Sequence, residues 1–331
     1  MNGMEILFSH KTALEYWRLH GCTNNTFTRR QRKRKAPIEA PETEALRKFD
    51  TGGLSYPLNI MVGTPNARRE SQILHSRLFS GMMQEGSIVN VGEGLLVSSP
   101  ELCFFQMASE MSLVKLVELG FELCGSYSKL VPDAMSADSS DIKRGFKKRP
   151  PLTSVKRLSA YLRRMEGILG QKKLSIAINY IADGAESPME TILTMLLTLP
   201  YKYGGYGLSM PMLNAPINTT KIGNQSSDSN LYRCDLYWPK NNVVAEYDSD
   251  MFHTGSENIA RDSIRRNALT SSGRTVMTVT KRQLYSTEEF NKVAKQLAAK
   301  TGKRLRLQRN QEFAGARQKL RALLLSMEHC F

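Results

Sequence analysis

The stretch Leu231–Val279 constrains this chain more than any other. Two short apolar runs, Leu231–Trp238 and Val243–Asp248, flank Pro239-Lys240-Asn241-Asn242. Alternating β-branched and aromatic residues around a Pro/Asn break predict a β-hairpin. With those residues as the loop, Trp238 pairs with Val243, and Asp235 falls opposite Glu246. Side chains alternate along a strand, so Asp235 shares a face with Arg233 and Tyr237, and Glu246 with Val244 and Asp248. Carboxylates facing each other across a strand pair sit roughly 5 Å apart at Cβ and repel. A hard divalent cation takes oxygen ligands and turns that repulsion into shared coordination. Such an ion can also activate water in phosphodiester cleavage. The alternative is an exposed outer face on which Arg233 partners one of the acids.

The rest of the composition bears on partners. The chain has 331 residues and a formal net charge of +15, with a pI near 9.6. That excess favours a polyanion, nucleic acid before an anionic membrane surface. No apolar run approaches a transmembrane helix, and the first residues lack a secretory signal pattern, so no membrane association is expected. The cysteines (Cys22, Cys103, Cys124, Cys234, Cys330) are scattered and form no C-x-x-C pair. They read as reduced cytoplasmic thiols.

Basic residues cluster three times: in Arg29–Lys35, all basic except Gln31; in Lys143, Arg144, Lys147, Lys148 and Arg149; and in KRLRLQR from Lys303. Each is a candidate phosphate contact or a solvated run. Residues 1–128 read as a small α/β domain. A helix follows Ser9, Leu58–Val62 is a strand, residues 70–84 read as helical, and Ile88–Val97 as a hairpin. Ser99-Pro100-Glu101 starts a further helix. Residues 129–153 lack apolar periodicity and read as a basic linker. Residues 154–331 form the second domain. There Ser187-Pro188-Met189-Glu190 is a capping box, which gives Glu190 a structural role beside the functional one of joining the metal's ligands. Residues 200–216 read as a loop and 217–230 as a surface turn. Ser256 opens a helix carrying Arg261, Asp262, Arg265 and Arg266, Gly273 ends it, and Arg274–Thr280 is a strand.

Asp235, Glu246-Tyr247-Asp248, His253, Asp262-x-x-Arg265, Leu269, Gly273 and Val276 together resemble a known pattern. It is similar to the very-short-patch-repair (Vsr)-like endonuclease domains of the PD-(D/E)xK nuclease superfamily, over roughly residues 186–285. The resemblance implies an α/β fold with a restriction-endonuclease-like mixed sheet flanked by helices. It also implies Mg²⁺- or Mn²⁺-dependent hydrolysis of DNA. Asp235, Glu246 and Glu190 would be the metal ligands, with Asp248 and His253 supporting catalysis. Arg265, Arg266 and Arg261, with Lys147 and Lys148, would contact DNA phosphates. The chain departs from that pattern at Ser249, where the family has glycine, and at Asp248, which replaces the superfamily lysine. Lys221 and Lys281 are the nearest substitutes in sequence. LLVSSPELCFFQMA and LGFELCGSY, within residues 57–128, resemble AbiEi-type abortive-infection antitoxins. That resemblance implies a phage-defence setting beside DNA repair, with a partner toxin or a homodimer.

Three readings stay open at this level. The first is a metal-dependent DNA endonuclease. The second is a catalytically inactive nucleic-acid-binding antitoxin or transcriptional regulator, favoured by the missing lysine. The third is a protein-interaction module whose acids are surface residues.

Overall fold

Short, mainly apolar runs such as Ile6–Phe8 and Leu58–Val62 suit strands covered on both faces. A computed structural model of the protein describes residues 5–22, 32, 34–37, 40–41, 46, 52–131, 141, 144–165, 170–219, 230–248, 256–305 and 311–326. It divides into two compact units, Met1–Ile181 and Ala182–Cys330. In the first unit every residue of β1 (Ile6–Phe8) and β2 (Leu58–Val62) is buried. They join β3 (Leu74–Leu78), β4 (Ile88–Gly92) and β5 (Leu95–Ser98) in a mixed sheet of order β3-β2-β1-β5-β4. Helix α1 (His10–His20) follows β1, with Ser9 in the N-cap position but without a side-chain cap bond. The Trp17 indole N–H donates to the Ser98 carbonyl at 2.8 Å, pinning α1 to the edge of β5. Helices α2 (Pro100–Met107) and α3 (Leu113–Cys124) start at Ser99 and Ser112, whose hydroxyls accept from Leu102 N and Lys115 N.

Residues 70–84, expected to be helical, instead contain β3, which pairs in parallel with β2. Leu74 and Ser76 are buried on one face while His75 and Arg77 are half-exposed on the other, the period-2 pattern of a strand. The expected linker is also more structured. Its flanks pair as β6 (Tyr127–Lys129) and β7 (Phe146–Lys148). The buried Arg149 guanidinium donates to the carbonyls of Glu122 (2.8 Å) and Gly125 (3.2 Å). Helices α4 (Val155–Arg164) and α5 (Gln171–Ile178) complete the unit, so the division falls after Ile181 and not within residues 129–153.

The second unit opens with α6 (Pro188–Thr198). Strands β8 (Met212–Thr219), β9 (Asn230–Trp238) and β10 (Val243–Asp248) form an antiparallel meander, and α7 (Ser256–Ser271) crosses to β11 (Thr275–Thr280). The sheet order is β11-β10-β9-β8, with β11 parallel to β10. Parallel neighbours need such a crossover. α7 contributes Leu269 to a core of Ile217, Cys234 and Val244, with Val276 and Tyr237 packed against it. β8 takes up part of what was expected to be loop and turn. Helices α8 (Lys281–Tyr285), α9 (Thr287–Lys300) and α10 (Gln311–Leu324) follow. Among the described residues no helix is long and apolar enough to cross a membrane. The molecule is thus an α/β protein with mixed sheets flanked by helices, as expected.

Candidate functional site

The hairpin turn forms as its chemistry dictates. Pro239–Asn241 is one 3₁₀ turn, and Asn242 takes the left-handed conformation at φ 51°, which asparagine tolerates. The register follows: Val243 pairs with Trp238, Val244 with Tyr237 and Ala245 with Leu236. The next index would set Asp235 opposite Glu246. There the strand pairing gives way, and the Asp235 carboxylate itself accepts the Tyr247 N–H, Oδ2 to N 2.8 Å. On the other side of Asp235, Asn214 of β8 stands between the pairs Leu213–Leu236 and Ala215–Cys234. Its φ of 47° departs from strand geometry.

That kink has a use. The Asn214 amide donates to the Gly184 carbonyl (2.9 Å) and to Glu190 Oε2 (2.6 Å). Of the expected capping box the Ser187 half forms, Ser187 Oγ accepting from Glu190 N (3.2 Å), but the Glu190 side chain reaches the Ser187 hydroxyl, which donates to Glu190 Oε1 (2.8 Å), instead of the Ser187 N–H. Glu190 Oε2 also accepts the Glu186 N–H at 2.9 Å. Glu190 is therefore buried and committed by hydrogen bonds to the helix start and to β8. Burial pushes its carboxyl above the ordinary range, against the opposing effect of those bonds.

Glu246 is 7% exposed. Its Oε2 accepts from the Arg265 guanidinium at 2.7 Å. Its Oε1 is buried with no hydrogen-bond partner among the described residues. α7 places Arg265 one turn before Leu269, whose packing on Val244 aims that helical face at Glu246. Burial first, then the charge of Glu190, push the Asp235 carboxyl up to about 7; Glu246 adds to this, while the Tyr247 N–H and Arg265 oppose it. Burial first, then Glu246 and Asp235, push the Cys234 thiol up to about 12, against the charges of Arg265 and Arg274. Acids on two strands and one helix thus share a poorly solvated region, with Arg265 on Glu246.

The structure brings together Asp235, Glu246, Arg265 and, through Asn214, Glu190. Among the described residues no group of three or more His, Cys, Asp or Glu is placed to hold a metal ion. Asp248 lies half-buried at the end of β10, paired in register with Thr280. Arg233 does not partner either hairpin acid; it pairs with Glu186. Arg265, expected on phosphate, is engaged by Glu246, whereas exposed Arg266 is held lightly by Thr278 Oγ1 at 3.0 Å. Lys147 and Lys148 are exposed on β7 of the first unit. Lys281 is exposed, its Nζ 6.0 Å from the Tyr285 ring centre. His253, Ser249, Lys221 and the Arg261 side chain lie outside the described residues. Asn214 was missed in the sequence; an asparagine amid strand-like alternation is its one signal.

No family model, curated protein or solved structure matches the chain.

Proposed function

We propose that the second unit is a metal-dependent DNA endonuclease module in which Asp235 and Glu246 hold Mg²⁺ or Mn²⁺. The observation that carries this reading is the Asp235–Glu246 pair: one carboxyl held protonated up to about pH 7 by burial and then by the Glu190 charge, the other with a buried oxygen left unpartnered among the described residues. Buried carboxylate oxygens are rarely left so, and an all-oxygen donor set suits a hard cation. Glu190 fits less well, because its oxygens already serve the helix cap and Asn214. A divalent ion there supplies an activated water and stabilisation of the leaving oxygen.

The chain's own groups prepare that site. The Tyr247 N–H fixes one oxygen of Asp235 and leaves Oδ1 for a ligand. Arg265 holds Oε2 of Glu246 and thereby orients Oε1. Arg266, on the next position of the same helix and exposed, is suited to a phosphate oxygen. The order helix, three antiparallel strands, crossover helix and parallel strand accords with the resemblance to Vsr-like domains. In the test, the full chain nicks supercoiled DNA in Mg²⁺ or Mn²⁺, and Asp235→Ala abolishes the nicking. Full activity in that variant removes the reading.

One observation favours a second reading, a non-catalytic DNA-binding regulator. The Arg265–Glu246 ion pair already supplies a positive charge where an ion would sit, and no lysine stands at Asp248. Under that reading DNA binding is independent of divalent ions and falls steeply with salt. A divalent ion bound in the native chain and lost in Glu246→Gln counts against it.

A further inference from the structure

The first unit contains a cavity of about 270 Å³ that the nuclease reading does not use. It lies between the sheet, at Met61 of β2 and Leu78 of β3, and the helices, at Phe105 of α2, Tyr161 of α4 and Leu174 of α5. Phe79, Met83 and Met165 add to its carbon and sulfur walls. Phe105 and Tyr161 meet edge to face, ring centres 4.9 Å apart and planes at 84°. Leu78 is 41% exposed, so the cavity has a solvent side at the end of β3. Packed interiors leave few voids larger than a water molecule. A space of this size among five elements is room for a ligand.

The polar side chains of the lining are already bonded elsewhere. Ser87 Oγ and Tyr161 Oη share a hydrogen bond of 2.7 Å. Gln106 Oε1 accepts the His10 backbone N–H at 2.9 Å, and the His10 ring meets Ser9 Oγ at 3.1 Å. Arg77, the one charged side chain among the described lining residues, donates to Glu110 at 2.6 Å. Burial first, then the charges of Arg77 and His75, depress His10 to about 4 and keep its ring neutral at pH 7. The unmet donors Gln106 Nε2 and Arg77 Nε are too enclosed to open into the cavity. These walls offer a charged group little in return for its hydration.

We infer that this cavity binds a small neutral aromatic molecule of one or two rings, held among Phe79, Phe105, Tyr161 and the methionines Met61, Met83 and Met165. A dry apolar cavity of about 150 Å³ takes benzene, so this larger one admits a substituted or fused ring. Aromatic walls favour an edge-to-face ring, and thioether sulfur adds contacts of its own to one. The flexible methionine chains let the walls close on rings of differing outline. The inference is independent of the nuclease reading.

The probe is toluene, with benzoate as its charged counterpart of similar shape. In the full chain carrying ¹³C-methyl methionine, toluene shifts the Met61, Met83 and Met165 signals saturably. Met107, which is buried outside the cavity, stays in place. Benzoate binds at least tenfold more weakly, because its carboxylate loses hydration that the walls do not replace. Leu174→Trp puts an indole into the space and weakens toluene at least tenfold. No saturable shift of the lining methionines, benzoate binding as tightly as toluene, or full toluene affinity in folded Leu174→Trp overturns the inference. If Leu174→Trp displaces the Met107 signal and the first unit does not fold, the toluene–benzoate comparison on the native chain decides alone.

Discussion

Replacing Asp235 by Asn removes a charge that the fold resists while keeping an acceptor for the Tyr247 N–H. In the folded chain the Asp235 carboxyl is pushed up to about 7, against an ordinary 3.8. The folded state therefore binds this proton more tightly than the unfolded one. Between about pH 4 and pH 7 the unfolded chain has lost the proton and the folded chain has kept it, so stability falls as pH rises and levels off above 7. At about 1.4 kcal/mol per tenfold change in proton affinity, the difference sets a ceiling of about 4 kcal/mol. Asp235 retains some solvent contact, and screening brings the expected effect nearer to about 2 kcal/mol. Asp235→Asn is then more stable than the native chain by about 2 kcal/mol at pH 8, with the gap closing towards pH 4. The assay is urea unfolding from pH 4 to 8.5 in a Trp17→Phe background, where Trp238 on β9 is the sole indole and reports on the second unit. An Asn variant less stable at pH 8, or a gap independent of pH, refutes the reasoning.

Under the nuclease reading, Mg²⁺ at ten times its dissociation constant raises the pH 8 stability of the native chain by about 1.4 kcal/mol and leaves Asp235→Asn unchanged in the same urea assay. Arg265→Met strands a buried Glu246 carboxylate; because the Arg265 side chain is 34% exposed, the loss is about 1–3 kcal/mol, and a loss below about 0.5 in urea contradicts the assignment. In the first unit, Arg18 donates to both oxygens of Glu122 at 2.8 and 2.7 Å. Although burial opposes it, the Arg18 charge holds Glu122 below its ordinary 4.5. The pair's contribution is present above that value and is lost as pH falls from it through the lowered folded value, so Glu122→Gln costs about 3 kcal/mol at pH 7 and much less in acid, read from Trp17 fluorescence in a Trp238→Phe background. Gly204 has φ +91°, and a Cβ there would lie 2.3 Å from the Ala316 carbonyl oxygen of α10; Gly204→Ala lowers the melting temperature of the second unit, by about 2 kcal/mol or more in stability.

The hairpin was legible because its turn is written in local chemistry: a proline that fixes φ and an asparagine that accepts the left-handed region set the register of β9 and β10. The capped starts of α2 and α6 were legible for the same reason. β8 was not. Leu213, Ala215 and Ile217 alternate inward, but Pro216 argues against a strand. The sheet order explains why it is tolerated: β8 is the outermost strand, where a missing N–H costs no ladder bond. The candidate site was legible in its acids and not in its hydrogen bonds. That Glu190 serves Asn214 and Glu246 serves Arg265 depends on where α6 and α7 cross the sheet, which no local spacing encodes.

Cys103 and Cys234 are both fully buried, and burial pushes both thiols up to about 12. At pH 8 only about one molecule in ten thousand carries the reactive thiolate at either position, and no reagent reaches it through the closed structure. Alkylation must wait for the surrounding backbone to open. Because one sulfur lies in each unit, the two modification rates act as separate clocks, timing the breathing of each half within one intact molecule.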